Sequence, residues 1–524
     1  MGTALAGCGG VVPRCIFLKA SPDPPIVHIV STGYQQIVPP VVNHPRDIAD
    51  ADITLLSVQA LIPLLKSRQI TSQTLVEAYI QKIKKVNPAL NAVVRDRFDE
   101  AREEALRADV LLSQQREQTI PLLTGIPCTI KEAFAVRGMP QTSGLVGRQG
   151  QVAEQDAPCV HRLRQAGAIV LGVTNVSELC MWMESANKVY GRTNNPHDTR
   201  RIAGGSSGGE GAIIGAGASL FGLGSDVGGS IRMPAFFNGV FGHKPSSCIV
   251  PNEGQFPGTV GRASHYLTTG ILCRYAKDLM PLMSILATPA PDENKKQLLQ
   301  WPDSSPVDFA KITVVDIPGN GMNKVAPDVR QSQARCAEHF RSLGAKVVTR
   351  EFKLLKKSFS FWAAHMSLAD EIPFGTLMGQ GQRISVAKEL ARWLVNQSDH
   401  TFPAIMLALL EQMPVSSKQK KNYVDQSLEL KNQVEEAMGP QGVLLYPTFP
   451  TVAPRHNAPI FKLFPWVYTA IFNALEFPAT SVPLGLNKNN LPLGLQVVSR
   501  WGADHLTIAC ACELEKRFGG WSIG

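Results

Sequence analysis

The sequence predicts an α/β protein whose sheet is mixed or largely parallel and is covered by helices. Stretches of helical periodicity alternate with short apolar runs along most of the chain, which is typical of strands joined by helical connections. Of the 524 residues, 44% are hydrophobic and 18% are charged, as in a soluble globular protein with a large core. We expect residues 1–50 to be an irregular, poorly ordered leader and residues 51–524 to form one domain.

Caps, breakers and periodicity predict the individual elements. Thr71 and Ser72 are good caps for the second helix, and we expect Pro88 to end it. Asp156 and Pro158 supply a cap and a first-turn proline for a later helix. The polar, proline-bearing stretch 288–306 is typical of a surface connector. In chain order we expect helices at 57–67, 71–88, 97–112, 156–167 and 327–343, and strands at 123–130, 168–173, 311–316, 346–348 and 442–447.

Charge and cysteine usage exclude some classes of protein. The net charge is +9, but the basic residues are scattered rather than gathered in a stripe, which argues against nucleic-acid binding. The ten cysteines include no C-x-x-C pair, so we expect free thiols and an intracellular location. The apolar run 402–410, followed by Lys418, Lys420 and Lys421, fits either a peripheral contact with a membrane or a buried helix before a solvated turn. No segment, the N-terminus included, has the pattern of a transmembrane helix or a secretory signal.

The most informative segment is the glycine-rich stretch 204–230, which reads GGSSGGEGAIIGAGASLFGLGSDVGGS. Eleven of its 27 residues are glycine, but aliphatic residues and a phenylalanine run through it, so it is not a flexible linker. Glycine in an ordered segment allows positive φ and close backbone approach, and successive N–H groups can then surround one anion. The segment therefore indicates a reaction site, although a glycine-rich crossover between closely packed helices is the alternative.

Three side chains in and before this stretch can share a proton. Lys131 ends an apolar run, and burial there favours the neutral amine that a general base needs. The Ser206 hydroxyl both accepts and donates, so it can bridge two groups. Ser230 ends DVGGS, where the N–H groups of Val227, Gly228, Gly229 and Ser230 can surround a carbonyl oxygen. We expect Ser230 to be the nucleophile.

Lys131, the GGSSGG serine 75 residues later and the GGS serine 24 residues after that resemble the Ser-cisSer-Lys triad of the amidase signature family. The resemblance runs from about Asp52 to the C-terminus and includes the stretch from Gly229 that reads GSIRMPAFFNGVFGHKPS. It implies the amidase signature fold, a mixed twisted sheet covered by helices on both faces. It also implies that Lys131 draws a proton through Ser206 from Ser230, which attacks an amide carbonyl.

Within this family, GVTNVSELCMW and GSDVGGSIRMPAFFNG most resemble the branch that hydrolyses fatty acid amides, either primary amides or N-acylethanolamines. That resemblance implies that the Cys180 carbonyl lines the site and that Asp226 and Arg232 brace the Ser230 loop. It implies a lipid amide substrate, association with a membrane, a second copy of the chain as partner, and neither cofactor nor metal ion. Candidates for an apolar acyl channel, each also compatible with plain core, are Met181, Phe236, Phe237, Trp393 and Phe402.

Other functions compete with this hypothesis. Short-chain amidases share the triad, and so does the component of tRNA-dependent amidotransferases that feeds ammonia to misacylated tRNA. Ser206 and Ser207 each fit the G-x-S-x-G motif of α/β-hydrolases, with Asp226 and His243 downstream, but the residues before the motif do not form the apolar strand that it requires. A lipid-binding descendant without activity is disfavoured because all three triad positions are present. No phosphate-binding glycine motif occurs, which argues against a nucleotide-binding protein.

Overall fold

An eleven-stranded mixed sheet forms the centre of the protein, as a computed structural model shows. The structure describes residues 52–114, 120–259, 261–287, 306–368, 372–413, 415–462 and 464–522. The predicted leader 1–50 and nearly all of the predicted connector 288–306 lie outside the described residues.

The described elements are named in chain order. The helices are α1 (Val58–Lys66), α2 (Ser72–Leu90), α3 (Phe98–Gln114), α4 (Pro158–Gln165), α5 (Gly208–Gly215), α6 (Arg232–Asn238), α7 (Leu279–Leu286), α8 (Pro327–Ser342), α9 (Ser358–Leu368), α10 (Phe374–Met378), α11 (Val386–Leu394), α12 (Phe402–Glu411), α13 (Ser417–Met438), α14 (Val467–Ala474) and α15 (Asp504–Phe518). The strands are β1 (Val93–Asp96), β2 (Pro127–Lys131), β3 (Ile169–Thr174), β4 (Ala186–Asn187), β5 (Gly191–Arg192), β6 (Phe221–Asp226), β7 (Phe241–Lys244), β8 (Thr268–Cys273), β9 (Thr313–Asp316), β10 (Lys346–Thr349), β11 (Gly442–Tyr446), β12 (Ala479–Leu486) and β13 (Pro492–Val498).

The sheet has the strand order β1-β3-β2-β6-β8-β7-β12-β13-β11-β9-β10, and β4 pairs with β5 in a separate hairpin. Strand β2 is parallel to both β3 and β6, and β9 is parallel to β10 and β11, whereas the other neighbours are antiparallel. All residues of β2, β3, β6 and β8 are buried, as expected for strands covered on both faces. The predicted α/β fold with a mixed sheet is therefore confirmed.

Two predictions about how helices begin and end are wrong. Helix α2 continues through Pro88 to Leu90 and ends at Asn91, whose left-handed φ of 49° turns the chain and whose N–H donates to the Asn87 carbonyl. A proline in the last turn costs only one helical hydrogen bond, and fully buried Leu90 keeps that turn packed. Asp156 does not cap α4, because its carboxylate accepts the Arg137 N–H and pairs with Arg164.

The strand that is predicted at 123–130 begins four residues later in the structure and ends one residue later. Strand β2 begins at Pro127 because the preceding turn is held by two backbone bonds, Leu123 N–H to Ala166 O and Gly125 N–H to Gly167 O. Lys131 is the last residue of this strand. The other predicted helices and strands are present, with ends that shift by up to two residues.

A small apolar cluster lies outside the main core and contains α10, α11 and α12. It joins these helices to Leu179, next to Cys180, and a buried carboxylate ties the same two regions together. Glu178 accepts hydrogen bonds from His400 Nδ1 and the Thr401 N–H, each at 2.7 Å. This cluster, which we call the helical cap, therefore sits against the segment that contains Cys180.

In the described part of the chain, no helix combines the length and the apolar character that are needed to cross a membrane. Eight of the ten cysteines lie in the described part of the chain, and all eight are free thiols.

Candidate active site

The sheet topology brings the predicted catalytic segments to one edge. Strands β2 and β6 are adjacent and parallel, so their carboxyl ends meet at the same place, where ligands bind in many open α/β sheets. Lys131 ends β2, and Ser225 and Asp226 end β6. Ser230 lies in the short loop between β6 and α6.

Lys131 is fully buried and contacts two hydroxyls. Its Nζ lies 2.7 Å from Ser206 Oγ and 2.9 Å from Ser225 Oγ. Burial lowers the pKa of the Lys131 amine, because the charged form loses its hydration; the nearby Cys180 thiol and the Asp226 and Glu210 carboxyls oppose this shift only in part. The site thus favours a neutral amine in hydrogen-bond contact with Ser206.

Close contacts fix the backbone of Ser206. The Gly205–Ser206 peptide bond is cis, the Ser206 carbonyl accepts a hydrogen bond from Ser185 Oγ at 3.1 Å, and Ser206 is 1% exposed. A Cβ on Gly205 would lie 2.3 Å from the Trp182 carbonyl oxygen, so only glycine fits there. This contact places the segment after Cys180 directly against the Ser206 peptide.

A backbone hydrogen bond joins the two serine segments. The N–H of Ser207 donates to the carbonyl of Ser230 at 3.2 Å. Lys131, Ser206 and Ser230 therefore lie in one buried region, with Lys131 and Ser206 in direct contact and the Ser206 and Ser230 segments bonded through their backbones.

The Ser230 loop is braced by a buried ion pair. Arg232 Nη2 lies 2.9 Å from Asp226 Oδ1, and both side chains are fully buried. Asp226 also accepts the N–H groups of Gly229 at 2.7 Å and Ile231 at 3.1 Å. Burial alone would raise the pKa of Asp226, but the charge and hydrogen bonds of Arg232 outweigh it and hold the pKa well below its usual range. Asp226 is thus an ionised anchor for the loop.

The N–H groups of the loop differ in their hydrogen bonding. Gly229, with φ of 122°, gives its N–H to Asp226, and a Cβ there would lie 2.0 Å from Thr469 Oγ1. Apart from regular helix and strand bonds, the N–H groups of Val227, Gly228 and Ser230 find no acceptor among the residues that the structure describes. These three donors remain available for a ligand.

The candidate channel residues divide into two groups. Met181, Trp393 and Phe402 lie at the helical cap, where the Trp393 and Phe402 rings are 4.8 Å apart. Phe236 and Phe237 are 1% and 0% exposed and pack in a separate core cluster. Met183 belongs to this second cluster and Trp182 packs against it, so both groups lie near the segment that contains Cys180.

Sequence reasoning missed Ser225 as a contact of Lys131. The contact depends on the pairing of β2 with β6, which brings together two residues that are 94 positions apart in the chain. It also missed Trp362, Thr469 and Asn473, which hydrogen-bond to the Ser230 loop from α9 and α14. No local motif marks these three residues.

The geometry does not support a histidine base. The ring nitrogens of His243 contact Asp504 Oδ1 at 3.2 Å and Thr480 Oγ1 at 2.9 Å, and the ring is fully buried. Asp226, which that alternative needs beside the histidine, pairs with Arg232 instead.

The profile of the amidase family matches residues 74–508, which is most of the chain. The chain belongs to the amidase family. It is 44% identical over 501 residues to fatty-acid amide hydrolase 2-A of Danio rerio, covering 92% of this amidase and 91% of that protein. It is 28% identical over 481 residues to an acylamidase of Rhodococcus erythropolis, covering 89% and 96%. It is also 28% identical, over 486 residues, to a glutamyl-tRNA(Gln) amidotransferase component of Koribacter versatilis (strain Ellin345), covering 88% and 98%.

The fold of this amidase is also found in solved structures. One of them, a fatty acid amide hydrolase, superimposes with a TM-score of 0.72 at 22% identity, over 90% of this chain and 86% of the other. The family membership confirms the resemblance drawn from the sequence motifs and identifies the protein as a hydrolase of carboxamides, related to the fatty acid amide hydrolases.

Proposed function

We propose that this amidase hydrolyses fatty acid amides through an acyl-enzyme on Ser230, with Ser206 as proton relay and Lys131 as general base. The observation that carries the proposal is the 2.7 Å contact between Lys131 Nζ and Ser206 Oγ in a water-poor site. Burial lowers the pKa of this amine, which favours the neutral form that can accept a proton.

The chemistry follows from these roles. Neutral Lys131 takes the Ser206 hydroxyl proton while Ser206 takes the proton of Ser230, and Ser230 Oγ bonds to the amide carbonyl carbon. The protonated amine returns its proton through Ser206 to the leaving nitrogen, and the C–N bond breaks. Water then attacks the ester by the same relay, which releases the fatty acid and restores the Ser230 hydroxyl.

The negative charge that forms on the carbonyl oxygen needs donors. We assign the N–H groups of Val227, Gly228 and Ser230 to this oxyanion hole, because they are the loop donors left without a partner among the described residues. Gly229 instead turns the loop and bonds to Asp226. Fixed donors aimed at a developing charge are among the largest contributions to catalysis of acyl transfer.

The nucleophile is tested by covalent labelling. A fluorophosphonate probe should label the wild type at Ser230 and fail to label Ser230→Ala, and hydrolysis should be lost in that variant. Ser113→Ala, a change on exposed α3, is the matched control and should keep both properties. Labelling of a different residue in the wild type would refute the assignment.

The substrate class rests on similarity and on the apolar surroundings of the site. The similarity to fatty-acid amide hydrolase 2-A is much higher than that to the amidotransferase component. The helical cap has apolar side chains beside the segment of Cys180, and we assign the acyl chain of the substrate to this region. Purified protein should hydrolyse oleamide and an N-acylethanolamine faster than glutamine; preference for glutamine would favour the amidotransferase function.

Membrane contact is the last part of this proposal. Apolar side chains are exposed where two helices of the cap end: Leu394 (68%) is the last residue of α11, Val395 (63%) follows it, and Met413 (62%) lies just after α12. Basic residues on or next to the cap are Lys388, Lys418, Lys420 and Lys421, whereas Arg392 pairs with Glu389 and Asp399. An apolar surface flanked by positive charge suits the boundary of an anionic bilayer.

Vesicle sedimentation tests this contact. Vesicles with phosphatidylserine should retain the wild type and release Leu394→Asp/Val395→Asp. Leu106→Asp, a change at a 52% exposed leucine on α3, is the matched control and should stay bound. Equal binding of all three proteins would refute the assignment of the cap.

A further inference from the structure

Three consecutive carbonyl groups of the Ser230 loop are each held by a side chain from a distant part of the chain. The Asp226 carbonyl accepts from Asn473 Nδ2 at 2.9 Å, the Val227 carbonyl from Trp362 Nε1 at 2.7 Å, and the Gly228 carbonyl from Thr469 Oγ1 at 2.7 Å. Trp362 lies on α9, and the other two lie on α14. Side chains of α9 and α14 therefore hold the carbonyls of residues 226 to 228.

A clamp on a carbonyl also sets the direction of the next N–H. The carbonyl and the following N–H belong to one planar unit, and in a trans peptide they point in opposite directions. Among the described residues the cis bonds are Gly205–Ser206 and Phe256–Pro257, so the peptides from Asp226 to Ser230 are trans. Holding the Val227 carbonyl therefore fixes the orientation of the Gly228 N–H.

The three clamped peptides are not equivalent. The peptide between Gly228 and Gly229 is fixed at both ends, because its N–H bonds to the ionised Asp226 carboxylate. The Gly228 N–H has no such partner within the described part of the protein, so the orientation of its peptide depends on Trp362. Gly228 has no side chain to restrict rotation, which makes an external clamp more important there.

We propose that Trp362 is a positioning residue of the oxyanion hole, and that its indole N–H aims the Gly228 N–H at the substrate oxygen. This inference rests on the proposed function, because it assigns a role within the same reaction. Trp362 is half-buried and its ring meets Trp466 edge-on, with centroids 4.8 Å apart, so packing holds the indole in place. Trp362 touches the loop, not the reacting atoms, and acts through Gly228.

Trp362→Phe tests the clamp, because it keeps a large ring and removes the N–H. We expect kcat to fall about 10- to 100-fold, somewhat less than the loss of an oxyanion donor, with KM within about twofold to threefold. A trifluoromethyl ketone with the substrate's acyl chain, which forms a tetrahedral oxyanion on Ser230, should bind more weakly by a similar factor. The corresponding alcohol, which forms no oxyanion, should bind as to wild type. The pH dependence of kcat/KM should not move, because the contacts of Lys131 are intact.

Trp521→Phe is the matched control. Trp521 is 2% exposed and also donates its indole N–H to a backbone carbonyl, that of Gly215, at 3.0 Å, at the far end of α5 from Ser206. The variant loses the same kind of hydrogen bond and should lower the melting temperature without lowering kcat. Trp362→His, which retains a ring N–H, should recover part of the lost kcat and serves as the second variant if the phenylalanine variant does not fold.

Several results would overturn the clamp. They are a kcat for Trp362→Phe within about twofold of wild type, a loss confined to KM, an equal loss in Trp521→Phe, or equal weakening of the ketone and the alcohol. If the wild type hydrolyses no fatty amide, the proposed substrate is wrong. The clamp is then measured in the same way on p-nitrophenyl decanoate, whose hydrolysis also passes through an oxyanion.

Discussion

Asp226→Asn should unfold the protein more easily and abolish activity, and the two effects should be separable. The carboxylate accepts hydrogen bonds on both oxygens: Oδ1 from the N–H of Gly229 and from Arg232 and Asn473, and Oδ2 from the N–H of Ile231 and from Arg232. An asparagine side chain has one acceptor oxygen and one NH₂ donor group. The N–H groups that bond to one of the two carboxylate oxygens of Asp226 therefore lose their acceptor. Arg232 keeps its charge without a counterion in a fully buried site.

The magnitude follows from these losses. Removing one partner of a buried ion pair costs about 3–5 kcal/mol, and each buried donor left without an acceptor costs about 1–3 kcal/mol. The first figure already contains part of the second, so we expect the free energy of unfolding to fall by about 3–5 kcal/mol. Unfolding in urea, followed by tryptophan fluorescence, measures this change. Asp99→Asn is the control, since Asp99 is 94% exposed in its pair with Arg102 and the substitution should have no measurable effect.

A second variant separates the charge from the geometry. Asp226→Asn/Arg232→Met removes the unpaired charge as well, so it should recover part of the lost stability. It should not recover activity, because the N–H groups of Gly229 and Ile231 still lack the carboxylate that orders the loop. The activity of the double variant is measured as its rate of hydrolysis of a substrate that the wild type accepts. A loss of stability below about 1 kcal/mol in Asp226→Asn, or recovery of activity in the double variant, would refute the reasoning.

Three further predictions concern the groups around Lys131. Because burial lowers the Lys131 pKa and the neutral amine is the reactive form, kcat/KM should rise with pH, and the apparent pKa of this rise should be below 10.5. Lys131→Arg, whose guanidinium stays charged, should be inactive at every pH tested. Ser225→Ala removes one of the two hydroxyls at Lys131 Nζ and should lower kcat about 3- to 10-fold, as expected for the loss of one hydrogen bond. The control Ser113→Ala should keep the wild-type kcat. A wild-type kcat in Ser225→Ala would show that Ser225 does not support Lys131. Glu210 is fully buried, and burial raises its pKa to about 8. Because ionised Glu210 raises the pKa of Lys131, Glu210→Gln should move the rising limb of the pH profile of kcat/KM to lower pH. A shift to higher pH would contradict this reasoning. Because the pKa of Glu210 is higher in the folded state than in the unfolded state, this residue stabilises the fold at low pH, and that contribution is lost between about pH 4.5 and 8. The free energy of unfolding of Glu210→Gln, measured in urea, should therefore depend less on pH in that range than the wild-type value does.

Local signals in the sequence were enough to find the residues that are proposed to react. Lys131 stood out as a lysine at the end of an apolar run, and the structure places it at the end of a fully buried strand. Ser206 and Ser230 stood out because glycine was dense in an otherwise apolar stretch. Each signal lies within a few residues of the side chain concerned, so no knowledge of the pairing of strands was needed.

Errors at the ends of elements arose where distant residues decide the outcome. Asp156 has the side chain of a helix cap, but Arg137 and Arg164 occupy its carboxylate. Pro88 is a helix breaker, but it lies in a last turn that the buried side chain of Leu90 keeps in place. Local propensity is a weak prior in both cases, and tertiary contacts overrode it.

The same distinction explains why the support of the Ser230 loop was invisible in the sequence. A loop that exposes free N–H groups on one side must satisfy its carbonyls on the other, because buried backbone groups are costly to leave unpaired. That requirement predicts that donors exist, but it does not say which residues supply them. Trp362, Thr469 and Asn473 are ordinary helix residues until the packing of α9 and α14 brings them to the loop, more than 130 residues along the chain. Groups that react can be recognised by their own chemistry, whereas groups that aim them are defined only by where they lie.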